Sequence, residues 1–392
     1  MKNKQLIWPF GFYFLIFGGL AAYRPYLVLY YQSLSFSGAQ IGLLTGIAPL
    51  LTLVSLPLIS SAADRTNRHK GIMSLALLVM VGVLIFYPQL NSFLLLLGMA
   101  VLTAIAYSPI LSLANNATMF MLGERKELYG RIRLGGTIGF SVLAALAGLL
   151  VEQYGLKIAF WGAAALFFIA FGVNQQLTHS EATGEEPAAK GRASELLKKP
   201  HFLLFLLISF SGGISFATLN AYLFPYMKTL GAGESLMGIA LTIGTIGELP
   251  VLFFANRFVK RFGAYPLLIL SLAMTGLRFL LLGVAPTPTF VLLIQLLNGL
   301  NYPLLMVAGV TYADAHAPQG LRATAQGLFN VAYGGIGSAI GGFVGGLLFE
   351  SLGARGMYLA FAAFVAVVLV VVSAIKRSLP VQTNNLQLSQ ES

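Results

Sequence analysis

The sequence predicts an all-α membrane protein of twelve transmembrane helices in two six-helix pseudo-repeats. Three observations predict it. Hydrophobic residues make up 57% of the 392-residue chain and charged residues only 9%, too few to coat a soluble globule of that size. Apolar stretches of about twenty residues recur along its length, each long enough to cross a bilayer as a helix. With the N-terminus in the cytoplasm, 19 Lys and Arg fall in loops on that side and 3 on the other, while Arg24 and Arg278 lie within spans. That asymmetry predicts a multi-pass protein of the cytoplasmic (inner) membrane with both termini cytoplasmic.

The first span, 6–31, is too long for a signal-peptide core and no small-residue cleavage site follows it. It contains Ala22-Tyr23-Arg24-Pro25-Tyr26, where Pro25 removes a backbone donor and predicts a break. The second span, 37–62, leads into Ser60-Ser61-Ala62-Ala63-Asp64-Arg65-Thr66-Asn67-Arg68-His69-Lys70. Spans three and four follow at 71–89 and 92–121, the fourth carrying Asn115 and Asn116. The fifth, 133–152, opens on Arg133, and the sixth, 157–178, closes an N-terminal bundle over 1–178. Residues 179–199 are the longest polar interruption and read as a cytoplasmic linker. A C-terminal bundle over 200–377 has spans at 200–228, 235–258, 265–284, 288–313, 321–349 and 354–376. Its polar cytoplasmic tail, 378–392, has the composition of a disordered segment.

The second six spans repeat the first. Residues 136–155 align without gaps to 334–353, with eight of twenty positions identical, among them Glu152 with Glu350 and Gly155 with Gly353. Pro25-Tyr26 matches Pro225-Tyr226, and Gly42 matches Gly238. The glycines of span eleven predict close helix packing. Their GGxGxxxG is no nucleotide loop, because no strand precedes it.

Two charges sit where charge is expensive. Glu248 is the only charged residue between Glu234 and Arg257. A carboxylate there costs a few kcal/mol or more unless it faces a polar cavity or a partner. Arg278 repeats the anomaly in span nine. Both fall about 18 Å into their spans from opposite membrane faces, and so near mid-membrane. Two readings stand: a proton or substrate site in which Arg278 governs the proton affinity of Glu248 and shifts it by moving during the transport cycle, or a static ion pair. Arg24 has two readings as well, a grip on a carboxylate or a side chain snorkelling to the headgroups.

Other chemistry is excluded. There are no cysteines for disulfides, thiol catalysis or cysteine-ligated metal. His69, His179, His201 and His316 all fall at loop or span ends, and no catalytic set or metal cluster is apparent, so neither an enzyme nor a metal site is expected. The basic residues are spread over loop ends, which argues against nucleic acid. The expected partners are a small-molecule solute and the lipid bilayer, for a monomer with no cofactor beyond a proton as coupling ion.

The loop bearing Asp64, Arg65, Arg68 and Lys70 resembles the major facilitator superfamily signature Gly-x-x-x-Asp-Arg-x-Gly-Arg-x-Lys/Arg, with Ser60 and Asn67 in place of two glycines. The resemblance implies a transporter working by alternating access, in which Asp64, Arg65 and Arg68 latch the cytoplasmic gate. The second-half counterpart, Asn256-Arg257-Phe258-Val259-Lys260-Arg261, lacks the acid. The chain also resembles the lactose permease-like branch, which includes phenylpropionate, nucleoside and oligosaccharide proton symporters. Tyr129-Gly130-Arg131-Ile132-Arg133-Leu134-Gly135-Gly136, Gly247-Glu248-Leu249, Met274 with Arg278, and Asn298 with Asn301 and Pro303 carry this likeness. It implies that Arg133 and Glu248 contact solute and that Arg278 belongs to the proton-coupling network. Only Asn115 and Asn116 lie in the stretch of span four where the branch has the acid that pairs with Arg133, and Asn298 and Asn301 replace its His and Glu. Lactose is therefore not the expected solute, and a lactose-type proton relay is not intact. Arg24, Arg133 and Arg278 against Glu248 leave the cavity net positive, which favours an anionic or aromatic acid. Sugar or nucleoside symport, efflux and a transport-dead sensor are the alternatives. The expected solute contacts are Arg24, Arg133, Glu248, Asn115, Asn298, Asn301, Tyr26, Tyr226, Tyr302 and Asn330.

Overall fold

The computed structural model describes residues 6–179, 193–318 and 321–378. Most of the expected linker, the tail after Ser378, and Lys2 and Lys4 lie outside the described residues. Ten helical segments cross in succession: α1 (Ile7–Ser33), α2 (Gly38–Thr66), α3 (His69–Gln89), α4 (Phe93–Leu122), α5 (Lys126–Tyr154), α6 (Lys157–Asn174), α7 (Pro200–Thr229), α8 (Glu234–Phe262), α9 (Ala264–Val284) and α10 (Pro288–His316). An eleventh, Arg322–Ser378, is 57 residues long. As one straight helix it would run about 86 Å, roughly twice a bilayer with its headgroups. It breaks at Gly353, with φ 69° and ψ 174°, into α11 (322–352) and α12 (354–378). Gly155, its partner in the sequence repeat, makes the same turn between α5 and α6, with φ 84° and ψ 171°. Only glycine adopts that backbone without strain, so the repeat preserves a turn as well as a pattern. Among the described residues this makes twelve passes. Several ends differ from expectation: α2 and α8 each run four residues further, to Thr66 and Phe262. The α5 segment starts before Arg133 and carries it inside the helix. The α6 helix stops at Asn174, whose buried side chain bonds to Ser74 of α3 and is followed by a turn.

Large apolar side chains such as Leu94 and Phe253 point outward, as lipid-facing residues do. Within the first half α1 packs on α5 and α6, and within the second α7 packs on α11. Among the described residues the halves meet chiefly along two seams, α2 with α11 and α5 with α8, with a smaller contact of α1 on α7. The repeat-matched glycines sit one in each seam. A Cβ on Gly42 would lie 2.5 Å from the Phe343 carbonyl, and one on Gly238 would lie 2.5 Å from that of Ala144. Hydrogen bonds join the halves from Thr242 Oγ1 to the Ser141 carbonyl (2.7 Å), from the Ser235 N–H to Glu152 (2.7 Å), and between the hydroxyls of Thr45 on α2 and Tyr222 on α7 (3.5 Å). Successive helices alternate in direction, so all these contacts lie toward one membrane face, here called the gate face. Asp64 and Arg322 lie at the opposite, basic face.

Candidate functional site

Three helices lose their regular winding at membrane depth. The first, α1, tightens to a 3-10 turn over Arg24–Tyr26 around Pro25. In α10 the helix ends at Gln295 and restarts at Asn298. In α11 it widens to a π-turn over Val331–Gly337. Irregular backbone within a bilayer is tolerated where it is buried in protein or lines a cavity, and all three border one here. A lobe in the second half is lined by Glu248, Arg278, Gln295, Asn298, Asn301 and Tyr302, among others. A lobe of about 280 Å³ between α1, α2 and α4 contains Arg24. Phe216 and Tyr333 line both lobes and stand between them.

Glu248 is the central residue of a 29-residue helix. Arg278 is 4% exposed, and its guanidinium donates to Asn298 Oδ1 and to Gln295 Oε1. Arg only donates, so the Asn298 amide must turn its oxygen to Arg278 and its nitrogen to Glu248. Asn298 Nδ2 indeed donates to Glu248 Oε1 at 2.6 Å. The two charges are thus joined through an amide, and among the described residues they form no direct ion pair within 4.0 Å. Of the two readings of these charges, the static ion pair is therefore not the arrangement found. The break in α10 is what presents both amides to Arg278. Glycines bring α8 and α10 together here, since a Cβ on Gly299 would lie 2.1 Å from the Gly247 carbonyl. Unpaired buried polar atoms gather at the same lobe: Arg278 Nε, Gln295 Nε2, Asn301 Oδ1 and the Tyr333 hydroxyl. Buried polar groups are nearly always paired, so their clustering marks a place built to receive another polar partner.

Arg24 is exposed into its lobe although Tyr23, Pro25 and Tyr26 around it are buried. Among the described residues its guanidinium has no hydrogen bond and no acidic partner. Tyr23, Tyr31, Tyr107, Thr52 and Thr103 share the lobe. Phe216 stacks on Tyr302 at 4.8 Å and lies 5.7 Å from Tyr333, giving flat aromatic surface at the junction.

The remaining expected residues divide. Arg133 lies over the rings of Tyr13 (4.8 Å) and Phe17 (4.3 Å), and Asn115 accepts from the Tyr13 and Tyr129 hydroxyls. They form a cluster of their own on α1, α4 and α5. Asn301 donates to Thr275. Tyr26 and Tyr226 are fully buried and line neither lobe. Tyr26 packs edge-on against Phe224, and Tyr226 donates to the Leu282 carbonyl. Their match in the repeat reflects packing. Tyr226→Phe is expected to cost about 1 kcal/mol of stability, the worth of one buried hydrogen bond, and to leave the transport KM unchanged; thermal unfolding with an uptake titration checks both. Asn330 is exposed and also lines neither lobe. At the basic face Arg65 and Arg68 are exposed, and Asp64 pairs with His69 Nε2 at 2.8 Å. The sequence reading had passed over His69, five residues on. Burial, and after it the neighbouring His69 and Lys70, push the nearby His179 imidazole down to about 4. Gln295 was also missed, although it stands three residues before Asn298 and six before Asn301 on one stripe.

The family model described as "MFS_1 like family" matches residues 6–360. The maltose permease of Geobacillus stearothermophilus is 27% identical over 360 residues, 92% of this chain and 91% of that protein. The xanthosine permease of Escherichia coli is 22% identical over 91% of this chain and 92% of its own length. Among solved structures, the crystal structure of the nucleoside transporter NupG superposes with a TM-score of 0.85 at 21% identity, covering 95% of this chain and 99% of that one. That last likeness speaks for the fold.

Proposed function

Because the chain belongs to the MFS_1 like family of major facilitator transporters, we propose that it carries a small organic solute together with a proton by alternating access. The observation that carries this reading is the relay Arg278–Asn298–Glu248 at mid-membrane. Glu248 is the proton carrier. Ionised, it holds Asn298 by a charge-assisted bond; protonated, it holds it less strongly, and the amide is released to a solute. All three residues lie in the second half. Rigid rocking of the halves therefore leaves their spacing unchanged, so the switch is the local competition for Asn298 and not a displacement of Arg278. The asymmetry of basic loops supports cytoplasmic termini, and the closed gate face is then the outer one, as in an inward-facing state.

For the solute, the unpaired Arg24 supports a carboxylate. Its planar fork matches a carboxylate bidentately. Phe216, Tyr302 and Tyr333 offer stacking to a ring, and Asn298 and Gln295 offer hydrogen bonds at the far end. An aromatic or other organic acid with a polar end opposite its carboxylate fits these three demands. A second reading, a neutral nucleoside or sugar, is favoured by the unpaired amide atoms of Gln295 and Asn301 and by the names of the maltose and xanthosine permeases. A thermal-shift screen of acids, nucleosides and sugars selects ligands, since binding to the folded state stabilises it. Arg24→Ala in proteoliposomes then decides. Loss of charge-assisted hydrogen bonds should weaken an acid roughly tenfold or more while sparing neutral solutes. Equal losses would remove Arg24 from the site and favour the second reading. Accumulation driven by an acid exterior separates symport from efflux.

A further inference from the structure

Glu152 and Glu350, paired in the sequence repeat, sit near the gate-face ends of α5 and α11. The first backbone N–H groups of a helix have no partner in their own helix. The N-cap of α8 is Gly233, which has no side chain to supply one. Glu152, from the other half, supplies it: its Oε2 accepts from the Ser235 N–H at 2.7 Å. The same carboxylate lies 3.0–3.1 Å from where a Cβ on Gly233 would stand. Glu234, the first residue of α8, does not compete, because it pairs with Lys228 of its own half at 2.5 Å. The start of α2 is built differently. Ser37 accepts from the Gln40 N–H (3.3 Å), and Gln40 Oε1 accepts from the Ser37 N–H (3.0 Å), a complete capping box in cis. Glu350 lies against Gly38, with Oε2 2.8 Å from the position of a Cβ there, and among the described residues it makes no hydrogen bond to that helix.

We propose that Glu152 is a helix cap supplied in trans, the releasable latch of the gate face, with Glu350 as a weaker repeat-related partner at α2. Both contacts join one half to the other, so they exist only while that face is closed. A carboxylate at a helix N-terminus is favourable. On opening, Glu152 and the Ser235 N–H both pass to water and keep partners there. The latch therefore biases the equilibrium between open and closed and does not lock it. Its strength lies mainly on the α5–α8 seam, because α2 already caps itself.

The chain has no cysteines, so cysteines introduced at Asn91 and Thr289 carry spin labels without background. Both are exposed at the gate face, Asn91 in the loop between α3 and α4 and Thr289 in the first turn of α10, one on each half. Electron-spin distance measurements on the purified full-length protein read the closed and open populations. Glu152→Ala is expected to shift the ratio toward open by roughly two- to fivefold, the loss of one exposed cap. Glu350→Ala should shift it less, and the double variant by about the product, since distant sites add. Gly233→Ser, which caps α8 in cis and crowds the Glu152 carboxylate, should also open the face without touching either acid. An unchanged distance distribution in a folded Glu152→Ala protein, judged by its thermal unfolding, would overturn the latch. Equal shifts from Glu152→Ala and Glu350→Ala would overturn its assignment to the missing cap of α8. The distances report no transport, so a failure of the proton-coupling reading would leave them as they are.

Discussion

Glu248→Gln abolishes proton-driven accumulation while exchange of internal for external solute continues. The substitution keeps the shape and an acceptor for Asn298 Nδ2 but removes the titration. The second half can still receive solute and the halves can still rock, so exchange persists. What is lost is the link between an external proton and the freedom of Asn298. Accumulation and counterflow in proteoliposomes under an imposed pH gradient separate the two. Wild-type accumulation in this variant would show that Glu248 is not the proton carrier. The effect is large because it is all-or-none: among the described residues Glu248 is the only acid lining either lobe.

Gly299→Val should be among the most damaging single steric changes at the site. Any Cβ at 299 would stand 2.1 Å from the Gly247 carbonyl, and backbone cannot yield as a flexible side chain can. The substitution forces α8 and α10 apart at the point where Glu248 meets Asn298. Overpacking of this kind costs about 1–3 kcal/mol, occasionally more, and here it also breaks the relay. Both the thermal midpoint and proton-driven uptake should fall. Gly98→Val is the control, since a Cβ there meets nothing within 4 Å. If Gly299→Val behaved like the control, the seam between α8 and α10 would be looser than its geometry requires.

How much of this was legible in the residues depended on what each feature costs. Apolar runs, loop charge and the direct repeat carry the fold, because the bilayer leaves the chain few alternatives. Glu248 and Arg278 stood out for the same reason. The bridge between them did not, because it depends on a break in α10 at Leu296–Leu297 that neither Pro nor Gly marks. The polar stripe Gln295, Asn298, Asn301 carried a readable signal that titratable groups overshadowed. Tyr26 and Tyr226 misled because a repeated Pro-Tyr looks functional in one dimension. Only packing distinguishes a hydroxyl spent on the Leu282 carbonyl from one facing a cavity. Asp64 sat in a recognisable motif, but its partner His69 is set by how α3 begins.

The seams between the halves carry a consequence for inheritance. At Gly42, Gly46 and Gly346 the facing backbone of the other half leaves no room for one more carbon. Every amino acid reachable from a glycine codon by one base change has at least that carbon. Nearly all missense mutations at these codons therefore wedge the same face, whatever their charge or polarity. The lineage can retune the acids beside the seam by small steps, but it has almost no small step available along the seam itself. Variation among descendants should accordingly collect in the lobes, where solute preference is decided, while the seam that closes the gate face stays nearly fixed.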